Sequence, residues 1–295
     1  MNAATGQHAA AQGDMARHPG EAAAPGTGQA RVRVGGRALS LEYQWIGPER
    51  QGTPLLVFLH EGLGSLSMWK DWPARACAAA GCRGLVYSRP GYGRSTPRAA
   101  HEKWPVAFMH EQADAVLPAL LQALGIDARR DPPVLFGHSD GASIALLYAA
   151  RHPDAVAGVI AAAPHVFVED VTVGNIEAAR RAYLETDLRD RLARYHDDPD
   201  SAFWGWNDIW LDPAFRAWNI EAEIATIRCP VLALQGRDDE YGTLAQIESI
   251  ARRAPRAAMR VLADCRHSPH RDQPEAVIDA IRGFLRQHGT RTPHL

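Results

Sequence analysis

Two rhythms of apolar residues run along this chain. Near its start, RVRVGGRALSLEYQWIG (31–47) alternates apolar and polar positions on either side of Gly35-Gly36. A period of two with a glycine pair at its centre predicts two exposed antiparallel strands joined by a tight turn. Beyond it the alternation stops. PLLVFLH (54–60), RGLVYS (83–88), PVLFG (133–137), AGVIAAAP (157–164), PVLALQG (230–236) and MRVLADC (259–265) are short, nearly unbroken apolar runs. Such runs suit strands covered on both faces of a parallel sheet. Helical patterns lie between most of them: WPARACAAAG (72–81), HEQADAVLPALLQALG (110–125), GASIALLYAARHP (141–153), LAQIESIARRAP (244–255) and PEAVIDAIRGFLRQHG (274–289). The expected fold is therefore α/β, a mostly parallel eight-stranded sheet flanked by helices.

One interval breaks the alternation. From Pro164 to about Ile227 there is no buried-strand run, only helical pattern such as NIEAARRAYLETDLRDRLARYH and the tryptophan-rich FWGWNDIWLDPAFRAW. That is too long for an ordinary connection, so 164–227 is expected to be a helical cap inserted into a core of 31–163 and 228–288. Residues 1–30, rich in Ala, Gly and Pro and without aromatics, are expected to form a disordered N-terminal tail, and 289–295 a C-terminal one.

Composition narrows the function classes. The 295 residues are enough for one large core, and a formal charge of −2 offers no basic excess for nucleic acid. No apolar run reaches the ~20 residues of a membrane helix, and the N-terminus lacks the apolar core of a signal peptide. Cys77, Cys82, Cys229 and Cys265 show neither a C-x-x-C pair nor zinc spacing, which suits free thiols in a reducing cytoplasm. The expected partner is a small-molecule substrate, with no nucleic acid and no membrane; homodimer formation stays open.

The candidate chemistry centres on GHSDG (137–141), between a strand and a helix. A serine in a sharp strand-to-helix turn is forced into a strained backbone, and side chains two positions either side would strike the neighbouring strand and helix. Gly137 and Gly141 would remove those clashes and lift the Ser139 hydroxyl clear of the sheet edge. The alternative is a glycine-flanked turn with a helix-capping serine. A nucleophilic serine needs a base, and the base an orienting acid. QGRDDEYG places Asp238 and Asp239 after the next-to-last strand, and DCRHSPHRDQPEAV places His267 after the last. All three would meet at the carboxyl edge of the sheet, where ligands of open α/β sheets collect.

With FLHEGLGSLSMW, YSRPGYGRST, GHSDG, QGRDDEYG and RHSPHRDQPE, the chain resembles the α/β-hydrolase superfamily over about residues 31–288. The resemblance implies the acid three residues after Gly236, hence Asp239, with Asp238 in reserve and Asp170 a minor candidate. It implies a histidine seven residues before Pro274, hence His267, with His270 a weaker choice. The YSRPGYGRST turn reflects scaffold packing in such proteins rather than chemistry. Arg266 stands where a glycine is usual, and His60-Glu61-Gly62 where many relatives have His-Gly. The oxyanion hole needs two backbone N–H donors. Asp140, after the nucleophile, supplies one, and Gly62 the other, with Leu63 as alternative. Dehalogenases and epoxide hydrolases of this fold carry Asp as nucleophile, which Ser139 argues against.

Glu61 beside an oxyanion hole would oppose developing negative charge unless turned away or paired. It is expected either in a structural ion pair, with Arg89 or Arg94, or facing a polar or cationic group of the substrate. His60 is expected to be structural. Glu61, His138, Trp204, Trp206 and Trp210 are the candidate pocket residues. Between Pro164 and Trp218 there are 11 Asp/Glu against 6 Arg and no Lys, which disfavours coenzyme A thioesters. No metal site and no cofactor are expected, since His267 and His270 lack partners with ligand spacing. The expected function is a serine hydrolase cleaving a carboxylic ester with an apolar or aromatic group. The alternatives are a carbon–carbon bond hydrolase of aromatic ring-cleavage products, whose relatives carry Asn where this chain has His138, and a non-catalytic ligand-binding protein on the same scaffold.

Overall fold

The computed structural model describes residues 26–48 and 52–289. Eight strands form one sheet: β1 (Gly26–Val34), β2 (Arg37–Ile46), β3 (Leu55–Leu59), β4 (Arg83–Tyr87), β5 (Val134–His138), β6 (Gly158–Ala162), β7 (Val231–Gly236) and β8 (Ala257–Leu262). Their spatial order is β1-β2-β4-β3-β5-β6-β7-β8. β2 pairs antiparallel with β1 and β4, and all other neighbours are parallel. All six apolar runs become strands, because an apolar run between covering helices can satisfy its backbone only through neighbouring strands.

Alternation within each central strand divides the core. Leu56 and Phe58 of β3 face a cluster with Trp69, Trp72 and Phe136, covered by α1 (Trp72–Ala80) and, at the C-terminus, by Pro274–His288. Val57 and Leu59 face the opposite cluster with Leu117, Leu135 and Leu146. On that side lie α2 (Phe108–Glu111), α3 (Leu117–Ala123) and α4 (Asp140–Arg151). The single helix expected over 110–125 is interrupted by a π-turn at Gln112–Val116. Pro118 in the first turn of α3 has no N–H for the preceding turn, and the wider turn absorbs that loss.

Three expectations need correction. Strand β1 starts at Gly26, not after residue 30, because Gly26–Ala30 pair with Leu41–Trp45 along the outer edge of β2. The earlier part of the expected tail and residues 290–295 lie outside the described residues. Strand β2 is not exposed: it sits inside the sheet, with Leu41 and Trp45 buried. Strand β8, expected to be buried on both faces, is an edge strand whose Met259 is 44% exposed.

Between β6 and β7 lie α5 (Asp170–Glu185), α6 (Leu188–Leu192), α7 (Pro199–Trp210) and α8 (Glu221–Ile224). The helical pattern over 175–196 is broken at Thr186, where an extended residue separates α5 from α6. An antiparallel bridge from Phe167 to Asn219 closes the neck of this insertion. Inside it, Tyr183 stacks on Phe203 at 3.7 Å. After β7 come α9 (Ala245–Arg253), α10 (Pro269–Asp272) and α11, the Pro274–His288 helix. No described helix is long and apolar enough to cross a membrane.

Candidate active site

The carboxyl edge of the sheet gathers the residues that the sequence singled out. Ser139 joins β5 directly to α4 with φ 53° and ψ −121°. A non-glycine residue held there costs about 1–3 kcal/mol. The flanking glycines make the turn sterically feasible: a Cβ on Gly137 would lie 2.3 Å from the Gly141 carbonyl oxygen, and one on Gly141 would lie 2.2 Å from that of Leu59. Gly236 has the same kind of role below Asp239, since its Cβ would come within 2.1 Å of the Cys265 carbonyl oxygen.

His267 stands between Ser139 and Asp239. Its Nε2 is 3.0 Å from Ser139 Oγ and its Nδ1 is 2.8 Å from Asp239 Oδ1. A carboxylate only accepts, so Nδ1 carries the proton and Nε2 is free to take one from the serine. Asp239 also accepts from the Tyr241 N–H at 2.8 Å, and its other oxygen accepts from Gln235 Nε2 at 3.2 Å. Burial pushes its pKa up, but the bonds from His267 and Tyr241 outweigh that and hold the carboxyl below its ordinary value. Asp238 forms no hydrogen bond or ion pair with His267; its N–H donates to the Cys265 carbonyl. Asp170 begins α5 and pairs at the surface with Arg216. His270 packs against Trp69 at 4.7 Å and His138 at 4.9 Å, away from the Ser139 hydroxyl.

Beside the serine lies the loop after β3. Among the described residues, the N–H groups of Gly62, Leu63 and Asp140 donate to no protein acceptor. The loop is fixed from behind. Arg89 N–H donates to His60 Nε2 at 3.0 Å, which leaves His60 Nδ1–H to donate to the Glu61 carbonyl at 2.7 Å. Arg89 Nη2 donates to the same carbonyl at 2.8 Å. His196 holds Leu63, two residues further on: it accepts from Gly93 N–H at 2.9 Å, so its Nε2–H donates to the Leu63 carbonyl at 3.1 Å. His60 is thus structural. Glu61 is paired, but not with Arg89 or Arg94: its carboxylate lies 3.4 Å from His138 Nδ1 and 3.7 Å from Arg271 Nη2. Burial raises its pKa, and His138, His270 and Arg271 overcome that to hold it well below the carboxylate range.

A cavity of about 120 Å³ opens above Ser139, with Glu61, Gly62, His138, Asp140 and His267 on its floor. The insertion supplies Thr172, Ile176, Trp206 and Trp210 to its walls. Trp206 fits against Gly62 so closely that a Cβ there would lie 2.2 Å from the indole nitrogen. Trp210 donates to Asp140 Oδ1 at 3.2 Å, while the other oxygen of this buried carboxyl has no partner. Burial pushes the Asp140 pKa up to about 6, against the opposing charge of Arg89. Trp204, expected in the pocket, does not line it: it packs against Tyr183 and Phe203 with Arg180 over its ring. On a helix, positions 206 and 210 share a face that 204 does not.

Besides Thr172, Ile176 and Ser268, two aromatic lining residues escaped sequence reasoning. His165, just beyond β6, lies 5.7 Å from the His267 ring, and burial pushes its pKa down to about 3. Tyr241 packs 4.8 Å from His267 on its other side. Their signal was position alone, each following a strand end at the carboxyl edge. No group of three or more metal-ligating side chains occurs among the described residues. A wider open groove of about 450 Å³, lined by Leu121, Ile126, Tyr148 and His152, includes none of Ser139, Asp239 and His267.

Comparison with known proteins agrees with this architecture. Residues 56–280 match the family described as the alpha/beta hydrolase family. A pimeloyl-[acyl-carrier protein] methyl ester esterase of Aromatoleum aromaticum is 28% identical over 273 residues, 78% of this chain and 99% of that protein. Epoxide hydrolase B of Mycobacterium tuberculosis is 31% identical over 115 residues, only 38% of this chain and 29% of that protein. The crystal structure of VinJ superposes with a TM-score of 0.70 at 23% identity, covering 90% of this chain and all of that one.

Proposed function

The chain belongs to the alpha/beta hydrolase family and is a hydrolase of esters or related substrates, and from that premise we propose that it cleaves a carboxylic ester through an acyl-enzyme on Ser139. The observation that carries the reading is the continuous line from Ser139 Oγ through the His267 ring to Asp239, at 3.0 and 2.8 Å. In the first half-reaction His267 takes the Ser139 proton as Oγ attacks the ester carbonyl. Asp239 keeps the imidazole in the required tautomer and stabilises the imidazolium that forms. The N–H groups of Gly62 and Asp140, free of protein acceptors, would receive the oxyanion. His267 then protonates the departing alkoxide, and water repeats the sequence on the acyl-enzyme.

Trp206, Trp210 and Ile176 support an apolar or aromatic substrate group under the insertion, which would act as a cap. The similarity to a methyl ester esterase over most of the chain supports the ester bond. The match to an epoxide hydrolase covers a minority of the chain, and the nucleophile position here is a serine. Four unpaired, buried cysteines support a reducing compartment such as the cytoplasm.

The test is mass spectrometry of the intact protein after a fluorophosphonate probe, with peptide mapping and Ser139→Ala as control. A single adduct on Ser139 is expected, followed by turnover of p-nitrophenyl esters in preference to ring-cleavage dienones. A folded protein that forms no adduct would favour the ligand-binding reading.

A further inference from the structure

Two tryptophans one helical turn apart on α7, Trp206 and Trp210, each stand against one of the residues whose backbone N–H would receive the oxyanion. Trp210 is 1% exposed, and its indole N–H is spent on Asp140 Oδ1 at 3.2 Å. Trp206, over Gly62, is different. The edge it turns toward that glycine is the one that carries its N–H: a Cβ on Gly62 would lie 2.2 Å from Trp206 Nε1 and 2.3 Å from Cδ1. Only a residue without a side chain lets the indole come so near this backbone. Yet the Trp206 N–H donates to no acceptor among the described residues. Unlike the indole nitrogens of Trp45, Trp69, Trp72 and Trp218, it is not sealed in the interior. Trp206 is 7% exposed and lines the cavity above Ser139. A tryptophan buried to that degree ordinarily has its N–H paired. Its acceptor is then one that the substrate brings.

The helix that carries this ring is tied down along its length. Near its start the Ser201 hydroxyl accepts from the Arg98 N–H at 2.7 Å, in the segment after β4. Asn207 Nδ2 donates to the Ile176 carbonyl of α5 at 3.0 Å, and Trp210 ends the helix on α4 through Asp140. Phe203 packs edge-on against Trp206 at 6.0 Å. The loop beneath is fixed as well, since His196 donates to the Leu63 carbonyl. A donor held in this way needs no reorientation when charge develops, which is the condition for stabilising an oxyanion.

We propose that Trp206 is a catalytic residue: its indole N–H is a third donor to the oxyanion, supplied by the insertion beside the backbone N–H groups of Gly62 and Asp140. Resting on the ester-hydrolase reading above, this gives the insertion a part in the chemistry besides covering an apolar group. As Ser139 Oγ attacks, the electron pair of the carbonyl π bond moves onto oxygen, which accepts from the three N–H groups without taking a proton. When the bond to the alcohol oxygen breaks, that pair re-forms the carbonyl and His267 protonates the departing oxygen.

Trp206→Phe keeps an aromatic ring and removes the donor. With a p-nitrophenyl ester, kcat should fall about 100-fold with little change in KM, as on losing one donor to a developing oxyanion. An aryl trifluoromethyl ketone, which Ser139 converts to a tetrahedral oxyanion, should bind the variant more weakly by the same factor. The corresponding alcohol, which carries no oxyanion, should bind both proteins alike. Unchanged kcat in Trp206→Phe overturns the proposal. So does an equal loss of affinity for ketone and alcohol with a raised KM, the pattern of a ring that only packs. Trp204→Phe, on another face of α7, should leave kcat unchanged; a loss equal to that of Trp206→Phe would trace the effect to helix packing and overturn the proposal.

A readout on the wild-type chain keeps the test decisive even if the variant fails to fold. In ¹H–¹⁵N spectra of the full-length protein, the Trp206 indole signal is assigned by its through-space contact with the Gly62 α-protons. It should move downfield when the ketone adduct forms on Ser139, as an N–H does on gaining a charged acceptor. An adduct that leaves this signal in place overturns the third donor while the hydrolase reading stands. If neither the ketone nor the fluorophosphonate reacts with Ser139, the ester-hydrolase reading falls and the third donor with it.

Discussion

Asp140 is a carboxyl with only one of its two oxygens partnered inside the fold. Burial moves its pKa from an ordinary 3.8 to about 6, even with Arg89 nearby. A raised acid pKa means that the folded state prefers the protonated form. There is no penalty below pH 3.8, where both states are protonated. Stability is then lost as pH rises toward 6. At about 1.36 kcal/mol per pH unit, the full loss is about 3 kcal/mol, of which about 2 kcal/mol falls between pH 4.5 and 7.5. Asp140→Asn removes the titration while its amide oxygen can still accept from Trp210. The unpartnered amide NH₂ costs something, but equally at both pH values. Urea unfolding of wild type and Asp140→Asn at pH 4.5 and 7.5 should therefore show the variant gaining about 2 kcal/mol relative to wild type at the higher pH. A stability difference that is the same at both pH values would refute the reasoning, and would mean that water or Arg89 fully compensates the charge. The backbone N–H of residue 140 is unaffected, so labelling of Ser139 should persist.

Other consequences are narrower. Ser139→Ala should abolish ester turnover and leave thermal unfolding cooperative, whereas Ser139→Gly should be the more stable of the two by about 1 kcal/mol, because glycine relieves the positive φ. Comparison of their melting temperatures checks this. Asp239→Asn should reduce kcat by about 10⁴-fold through loss of the required His267 tautomer. Asp238→Asn should stay near wild type in the same assay. Trp206→Ala should alter kcat/KM for bulky esters while Trp204→Ala leaves it unchanged, since only Trp206 reaches the cavity.

Most of the scaffold was legible because burial on two faces leaves a strong mark on sequence. The runs that became β3 to β7 are apolar at nearly every position, since residues 56 and 58 need one hydrophobic cluster and 57 and 59 the other. What the pattern could not convey was lateral position. An edge strand such as β8 and an interior one such as β7 can be written with similar residues when the edge strand keeps only one covered side. The reverse holds for β2, whose alternation read as exposed although a neighbour lies on each side of it. Sequence reports the faces of a strand through its side chains; it says little about its edges, which are backbone.

The same distinction explains the site. Ser139, Asp239 and His267 could be proposed because each follows a strand end, and a strand end fixes where a side chain emerges. Glu61 could be marked as anomalous from its neighbours in the chain, but its partners could not. His138 is reached across the sheet from β3 to β5, and Arg271 comes from α10, after β8. Arg89 was a reasonable choice by charge, and it does come close. It binds the Glu61 carbonyl instead, because His60 and Arg89 together occupy the back of the loop and leave the carboxylate facing β5.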